Sequence, residues 1–408
     1  MHDLRNDSKP NVEMAHRQST AKNHTGSATF DSFTMAAVLR PFLLRISAVL
    51  LLGSLDHLAP SQPANRTARG PERYVNHVLD VMQEHALHTK EIDWSAVRME
   101  TLQRAAGAQT TLDTYPAIFY ALTQLKEKHS FLRLPDTLTP AEKSKAMASM
   151  GAILAPYKKQ APRALTRIFT DRTDPAGHTV DVGQNSLAYI VVPKCVSSSS
   201  DLQESVRQGQ LYADRLHAIA ANLAARNPYG WIVDLRGNLG GDMYPMIAGI
   251  GFVLGEGRLG DFISPDSRNG WFYRNGAAGV AQDSHEFPQF HVKGSPVALK
   301  DLPPVAVLID GGTVSAGEAV AISFIARPNT RFFGAHTFGL STGNKAYPLS
   351  DGAQLILCET VEADRNDNVY LDGIEPDVIL PEPPLLPAER DDAALQAAQH
   401  WLLSLRAP

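Results

Sequence analysis

One strand-and-turn segment, residues 230–242, constrains this 408-residue chain more than any other feature. It begins with the apolar run 231–233, which is typical of a buried strand, and ends in a turn that contains Gly240 and Gly241. Glycine enters left-handed backbone conformations without steric cost, so such a turn can direct its N–H groups toward one point. A turn of this kind at the end of a strand can hold an anion or a developing oxyanion.

A second unit of the same kind follows about 70 residues later and adds a candidate nucleophile. The apolar run 305–309 leads into a glycine turn, and Ser315 lies where a helix is predicted to start. Two apolar strands that each end in a glycine turn, with a serine on one turn, indicate an acyl-transfer site.

Five motifs in a fixed order give the chain a family resemblance. They are D-L-R-G-N-x-G-G at 234–241, T-x-S-A-G-E at 313–318, G-A-H-T-F-G at 334–339, L-S-D-G at 349–352 and G-I-E-P-D at 373–377. This set resembles the S41 serine peptidases, the tail-specific and tricorn-core group. The resemblance is weak over 75–135 and good over 185–380.

The resemblance implies an α/β fold with the S41 protease core, a crotonase-like ββα spiral with a mixed, mostly parallel sheet. An N-terminal helical subdomain is predicted at 71–150, the core at 180–385 and a C-terminal helix at 388–408. Many tail-specific peptidases carry a PDZ domain before the core. Here only about 50 residues separate Ser130 from the strand at Ser186, which is short for a domain with its connections, so we expect no PDZ domain.

The resemblance assigns Ser315 as the nucleophile. Ser315 and Glu318 also have the spacing of a helix capping box, and the two roles are compatible because a helix N-terminus favours developing negative charge. In the tail-specific branch a lysine base directly follows T-F-G, but Leu340 occupies that position here. Lys345 would need a shift of register to replace it.

The tricorn-like branch uses a histidine from the N-terminal segment, and His129 matches its position. Histidine titrates near pH 6.5 and suits general-base work at neutral pH. A surface histidine at the end of a charged helix is the alternative interpretation of His129, and His336 and His217 are the other candidate bases.

An acid is expected to orient the imidazole. The resemblance places it before the G-I-E-P-D motif, where Asp372 is the first candidate and Asp364 the second. Ser130 could take part in the same hydrogen-bond relay.

The oxyanion is expected to bind the backbone N–H of Ala316 and one from Gly240 or Gly241. Asp234 and Arg236 are predicted to be structural and to hold the first turn by a charge-assisted hydrogen bond.

Composition excludes some functional classes. The chain is 44% apolar and 20% charged, with a net charge of −5, which gives no reason to expect a nucleic-acid partner. No Cys/His spacing resembles a metal site, and no cofactor is expected. The two cysteines, Cys195 and Cys358, are predicted to be buried free thiols, although an exported chain would permit a disulfide.

The first 64 residues have the character of a leader. Residues 1–34 are polar and are predicted to be disordered or to precede the true start. Residues 35–64 resemble a signal peptide, with Arg40 and Arg45 ahead of a short apolar run. The expectation is therefore an exported protein, periplasmic or secreted, with an uncleaved membrane anchor at 35–55 as the alternative.

Together these features predict a serine-type peptidase that cleaves peptides or unfolded proteins through an acyl-enzyme. The alternative is an inactive module of the same fold that binds a peptide tail or an apolar ligand. An esterase is a third possibility, although no G-x-S-x-G elbow surrounds Ser315.

Overall fold

The computed structural model describes residues 70–158, 172–182, 185–197, 201–299, 301–381 and 392–405. The predicted disordered start and the predicted signal peptide or anchor lie outside these ranges. No helix within them combines the length and apolarity that a membrane span requires.

The described part of the chain begins with a group of helices, as the three-to-four spacing of its apolar residues predicts. They are α1 (Gly70–His85), a 3₁₀ turn (Thr89–Glu91), α2 (Trp94–Arg104), α3 (Thr111–Thr123) and α4 (Pro140–Lys158). The Asp93 carboxylate accepts from the Ala96 N–H at the start of α2, and Thr110 and Asp113 form a reciprocal capping box at the start of α3. These caps satisfy N–H groups that a helix leaves free at its first turn.

A six-stranded sheet forms the centre of the core. Its strands are β2 (Ala176–Val182), β3 (Asn185–Val191), β4 (Gly230–Asp234), β9 (Val305–Ile309), β10 (Thr330–Gly334) and β14 (Val378–Ile379). They lie in the order β14-β10-β9-β4-β3-β2, and all neighbouring pairs are parallel except β2 with β3. Strands β4 and β9 are buried at every position, as expected for parallel strands covered on both faces.

A second sheet is antiparallel. Its strands are β1 (Phe131–Arg133), β5 (Gly257–Ile263), β6 (Arg268–Arg274), β7 (Ala277–Gln282), β8 (His285–His291), β11 (Thr342–Pro348), β12 (Gln354–Asp364) and β13 (Val369–Tyr370). It follows the order β1-β12-β5-β6-β7-β8, and β11 and β13 also pair with β12. The sequence pattern predicts strands over 257–300 but does not predict β11, whose side chains are mostly exposed and polar. The predicted α/β class is confirmed, with the strands divided between two sheets.

Helices cover both faces of the parallel sheet. Helices α5 (Leu202–Ala224), α6 (Met243–Leu254) and α7 (Ala316–Phe324) share one apolar core with the parallel sheet and with β5, β6 and β7. Helix α8 (Ala393–Ser404) packs on the opposite face against β4, β9 and β10. Since β4 and β9 are adjacent and parallel, the turns that follow them meet at one edge of the sheet.

One aspartate hydrogen-bonds the N-terminal helices to the antiparallel sheet, in addition to the apolar core that they share. The Asp351 carboxylate accepts hydrogen bonds from the hydroxyls of Tyr74 on α1 (3.0 Å) and Tyr115 on α3 (2.8 Å). Both tyrosines are at least 96% buried. Asp351 also accepts from the N–H of Ala353 in its own turn. This carboxylate therefore joins two helices to the turn between β11 and β12.

Replacing Asp351 with Ala should lower the free energy of unfolding by roughly 2 kcal/mol or more, because two buried hydroxyls lose their acceptor. Urea unfolding of the purified protein measures the effect, with the exposed Asp136→Ala as the matched control. The Tyr74→Phe/Tyr115→Phe double variant should lower the free energy of unfolding by less than Asp351→Ala does, since it removes both donors together and leaves no buried hydroxyl without an acceptor. An Asp351→Ala protein as stable as the Asp136→Ala control would contradict this role.

Candidate active site

The turns after β4 and β9 are joined by direct hydrogen bonds. The Val314 N–H donates to the Asn238 carbonyl over 2.9 Å. The buried Asp310 carboxylate accepts from the N–H groups of Gly237 and Gly312, each over 2.9 Å. The two glycine turns found in the sequence therefore form one unit, although about 70 residues separate them in the chain.

Ser315 occupies a strained position on this unit. It is the N-cap of α7, with φ 54° and ψ −121°. A non-glycine residue with positive φ is uncommon, and such strain concentrates at functional sites because the surrounding structure must hold it in place. The serine therefore lies in an enforced conformation at the start of a helix.

Two backbone donors beside Ser315 remain available for a ligand. The Gly240 N–H is committed to the Asn238 Oδ1 (2.9 Å), whereas no acceptor for the N–H of Gly241 or of Ala316 is found in the described part of the chain. A Cβ added to Gly240 would lie 2.9 Å from the Ser315 Cβ and 3.1 Å from the Ala316 nitrogen. The glycine turn therefore lies against the serine, and its geometry favours Gly241 over Gly240 as an oxyanion donor.

Glu318 organises the loop around the serine. Its buried carboxylate accepts hydrogen bonds from the N–H groups of Ser315 (2.9 Å), Gly339 (2.8 Å) and Leu340 (2.8 Å) and from the Thr337 hydroxyl (2.6 Å). Burial raises the pKa of Glu318, and these four donors oppose the rise. Leu340 occupies the position of the expected lysine. It therefore contributes a backbone N–H to Glu318, but its side chain cannot act as a base.

The imidazole of His129 contacts β11. Its Nδ1 lies 2.7 Å from the Thr342 Oγ1. The Glu127 carboxylate accepts from the N–H of His129 (2.5 Å), and the Asn344 amide donates to the His129 carbonyl (3.2 Å). Burial lowers the pKa of His129 to about 4, and hydrogen bonding to the Thr342 backbone opposes that shift.

A short series of contacts connects His129 with Ser315. The Ser315 N–H and the Leu340 N–H donate to the same oxygen of Glu318, and Thr342, which contacts the imidazole, is two residues beyond Leu340. The predicted base and the predicted nucleophile are therefore linked through Glu318 and the segment 340–342, and in the described part of the chain no hydrogen bond joins the imidazole directly to the Ser315 hydroxyl.

The other predicted members of the relay have different neighbours. The Ser130 hydroxyl accepts from the Cys358 N–H (2.8 Å) and so ties the His129 segment to β12. Asp372 is exposed and lies against Gly339. Asp364 accepts hydrogen bonds across the turn between β12 and β13. The ring nitrogen Nδ1 meets Thr342, and neither aspartate hydrogen-bonds to it in the described part of the chain.

The alternative bases have other surroundings. Lys345 is exposed on β11, with its Nζ 5.1 Å from the centre of the Tyr347 ring. His336 is exposed near Glu375, and its ring also lies near Glu318, because a Cβ added to Gly373 would be 3.0 Å from the His336 Cε1 and 3.1 Å from the Glu318 Oε1. His217 is buried on α5, edge-on to Phe252.

Asp234 and Arg236 form a buried ion pair below the first turn. The Arg236 guanidinium donates to both oxygens of Asp234 (2.9 and 2.8 Å) and to Asp392, the N-cap of α8. Arg172 and the Tyr189 hydroxyl also donate to Asp234. The pair therefore connects the turn to α8 and has no direct contact with Ser315.

Two residues near the site, Thr342 and Glu362, were not predicted from the sequence. Glu362 is 98% buried on β12, and no partner for its Oε2 is found among the described residues. Burial, together with the charge of Glu318, raises the pKa of Glu362 well above its usual range. Glu362 lies in the segment 359–364, where charged, polar and small apolar residues are mixed, so the sequence gave no sign that its side chain is buried.

Neither a metal-binding cluster nor a disulfide is found among the described residues. They contain no group of three or more His, Cys, Asp or Glu side chains arranged to hold an ion. Cys195 and Cys358 are both buried free thiols.

Comparison with known proteins identifies relatives over most of the chain. Residues 186–380 match the sequence profile of Peptidase family S41. The chain is 25% identical to the nisin-resistance protein of Lactococcus lactis subsp. lactis over 316 residues, which cover 76% of this chain and 83% of that protein.

Solved structures share the fold. A lipoprotein from Streptococcus agalactiae superposes with a TM-score of 0.57 at 21% identity and covers 83% of this chain and 98% of its own. The photosystem II D1 C-terminal processing protease superposes with a TM-score of 0.50 at 16% identity and covers 77% and 94%.

The low pKa of His129 can be observed directly. The His129 ring protons should show a titration midpoint near pH 4 by NMR, well below the ordinary value of about 6.5. Because the unfolded chain binds this proton more tightly, the contribution of His129 to stability is complete above about pH 6.5 and is lost as the pH falls toward 4. The His129→Gln variant identifies the resonance, and a midpoint between pH 6 and 7 would contradict the burial of this imidazole.

Proposed function

We propose that this chain, which belongs to peptidase family S41 through residues 186–380, hydrolyses peptide bonds in peptides or unfolded proteins through a covalent acyl-enzyme. The observation that carries the proposal is the strained backbone of Ser315, held at the N-terminus of α7 beside two uncommitted N–H donors. A serine in that setting suits nucleophilic attack, because the donors are ready where the oxyanion forms.

In the proposed reaction the Ser315 Oγ attacks the scissile carbonyl carbon, and His129 takes the hydroxyl proton. The carbonyl oxygen becomes an oxyanion that accepts from the N–H groups of Ala316 and Gly241. The C–N bond then breaks, and the departing amine takes the proton from His129. Water, deprotonated by His129, attacks the acyl-enzyme and releases the second product and free Ser315.

The protonation state of His129 suits the role of a general base. With a pKa of about 4, the imidazole is neutral throughout the physiological range and always able to accept a proton. Its Nδ1 contacts Thr342, so the other ring nitrogen, Nε2, is the atom available to the serine. A base of low pKa provides a weaker driving force for proton transfer, which the donors of the oxyanion site must offset.

The relatives guide the choice of substrate and location. The match to a nisin-resistance protein over 83% of its length makes nisin the first compound to test. The same match, together with the fold shared with a lipoprotein, supports a location outside the cytoplasm, in agreement with the leader-like residues 35–64.

A binding module without turnover is the second candidate, and Leu340 favours it because it removes the lysine base of the tail-specific branch. The two candidates differ in the reactivity of Ser315. Only an activated serine forms a covalent adduct with a fluorophosphonate.

Parent protein should be labelled by a fluorophosphonate at Ser315, and the Ser315→Ala and His129→Ala variants should not. Peptide cleavage, assayed with nisin and with an unfolded protein, should fall on the order of 10⁴-fold or more in both variants, because nucleophile and base act as a unit. Mass spectrometry locates the label, and the exposed Ser350→Ala and His285→Ala variants are matched controls. A parent that takes no label and cleaves neither substrate favours the binding module.

Gly240→Ala should lower kcat by about 10²- to 10³-fold. The added methyl group would displace the Ser315 turn and with it the Ala316 N–H, and losing one oxyanion donor usually has an effect of that size. Gly107→Ala is the matched control because Gly107 has a similar φ (86° against 90°) and open space around its Cα. Equal loss of activity in both variants would show that general backbone strain, and not the site, is responsible.

A further inference from the structure

We propose that Thr342 replaces the acid of a catalytic triad, with its hydroxyl accepting from the Nδ1–H of His129. The proposal rests on the function proposed above and adds one positioning residue to that site. It concerns the ring of His129, whose orientation and tautomer decide whether Nε2 can act as the base.

The first observation is the contact itself. The Nδ1 of His129 and the Oγ1 of Thr342 are 2.7 Å apart. A hydroxyl can donate or accept, so this distance alone leaves the tautomer open. If the hydroxyl accepts from Nδ1–H, Nε2 has a free lone pair. If the hydroxyl donates to Nδ1, the proton lies on Nε2 and the ring cannot act as a base toward Ser315.

The proposed function fixes the direction of this hydrogen bond. For Nε2 to accept the Ser315 proton its lone pair must be free, so the ring hydrogen lies on Nδ1 and the Thr342 hydroxyl, 2.7 Å away, accepts it.

The second observation is that the nearby carboxylates are engaged by other groups. Glu127 holds the backbone N–H groups of His129 and Ser130. Glu359, on β12, accepts from the Tyr347 hydroxyl, and Glu318 accepts the four hydrogen bonds described above.

The remaining charged groups near the ring do not face Nδ1. Lys345 on β11 is exposed over Tyr347, Glu362 on β12 lies near Glu318, and Asp372 lies against Gly339. A neutral hydroxyl is therefore the group that faces Nδ1.

A hydroxyl and a carboxylate differ in one measurable respect. Both fix the tautomer, but only a carboxylate stabilises the imidazolium and raises the pKa of the base. A base oriented by threonine should remain active to lower pH than one oriented by an aspartate at the same position.

The test compares the parent with Thr342→Ser, Thr342→Val and Thr342→Asp in the pH profile of kcat/KM for the peptide substrate. We expect Thr342→Ser to behave as the parent, with its acidic limb near pH 4. Thr342→Val should lower kcat roughly 10- to 100-fold, as the loss of a group that orients a functional histidine commonly does. Thr342→Asp should move the acidic limb upward by at least one pH unit. An unchanged kcat in Thr342→Val, or an unchanged limb in a folded Thr342→Asp, would overturn the proposal.

The tautomer provides a readout that does not depend on turnover. Nitrogen-15 NMR of the ring should show the proton on Nδ1 in the parent and in Thr342→Ser, and a shift toward Nε2 in Thr342→Val. A parent with its proton on Nε2 would overturn the proposal even if peptide cleavage is confirmed. A parent with the expected tautomer but no cleavage would uphold the hydrogen bond to Thr342 and overturn the proposed function.

Discussion

The hydrogen-bonded junction between the turns of β4 and β9 is the constraint on which the rest of the site depends. Two parallel neighbouring strands bring the turns to one sheet edge, and the bonds from Val314 to Asn238 and from Gly237 to Asp310 fix them against each other. A serine with positive φ costs on the order of 1–3 kcal/mol and persists only where its surroundings determine it fully. The junction supplies those surroundings, because its hydrogen bonds hold the residues that precede Ser315 against the turn that follows β4. The buried pair of Asp234 and Arg236 anchors the first turn from below.

Leu340 stands where the tail-specific branch has its lysine base, and this explains why the nucleophile and the base come from two different parts of the chain. Without a lysine beside the nucleophile, the base must come from another part of the chain, and His129 lies between the N-terminal helices and β1. Its position therefore depends on how those helices pack against the antiparallel sheet, through a shared apolar core and through the hydrogen bonds of Asp351 with Tyr74 and Tyr115. The nucleophile belongs to the core built on the parallel sheet, whereas the base belongs to the interface between the N-terminal helices and the antiparallel sheet.

Sequence reasoning succeeded where the signal is local and failed where it depends on contacts between distant segments. The runs 231–233 and 305–309 are continuous and apolar, so their strands and glycine turns could be predicted from a few residues. Strand β11 has no alternation of buried and exposed residues and is largely exposed, so it gave no such signal. The choice between Gly240 and Gly241 depends on the Asn238 side chain, which takes up one of the two N–H groups. The contact of Thr342 with His129 spans 213 residues, and nothing in the sequence around either residue indicates it.

Buried carboxyl groups near the serine give a physical reason for a neutral partner at His129. Glu362 lies close enough to Glu318 for the charge of Glu318 to disfavour its ionisation, and two like charges in one buried region cannot both ionise cheaply. Glu318 has four hydrogen-bond donors and is the one suited to carry the charge, while Glu362, with an oxygen that no described residue contacts, suits the protonated form. A carboxylate in place of Thr342 would introduce another negative charge next to this pair. The threonine keeps the imidazole oriented without that charge, and the base is weaker as a result. The site therefore depends less on the strength of its base than on the preorganised donors that meet the oxyanion.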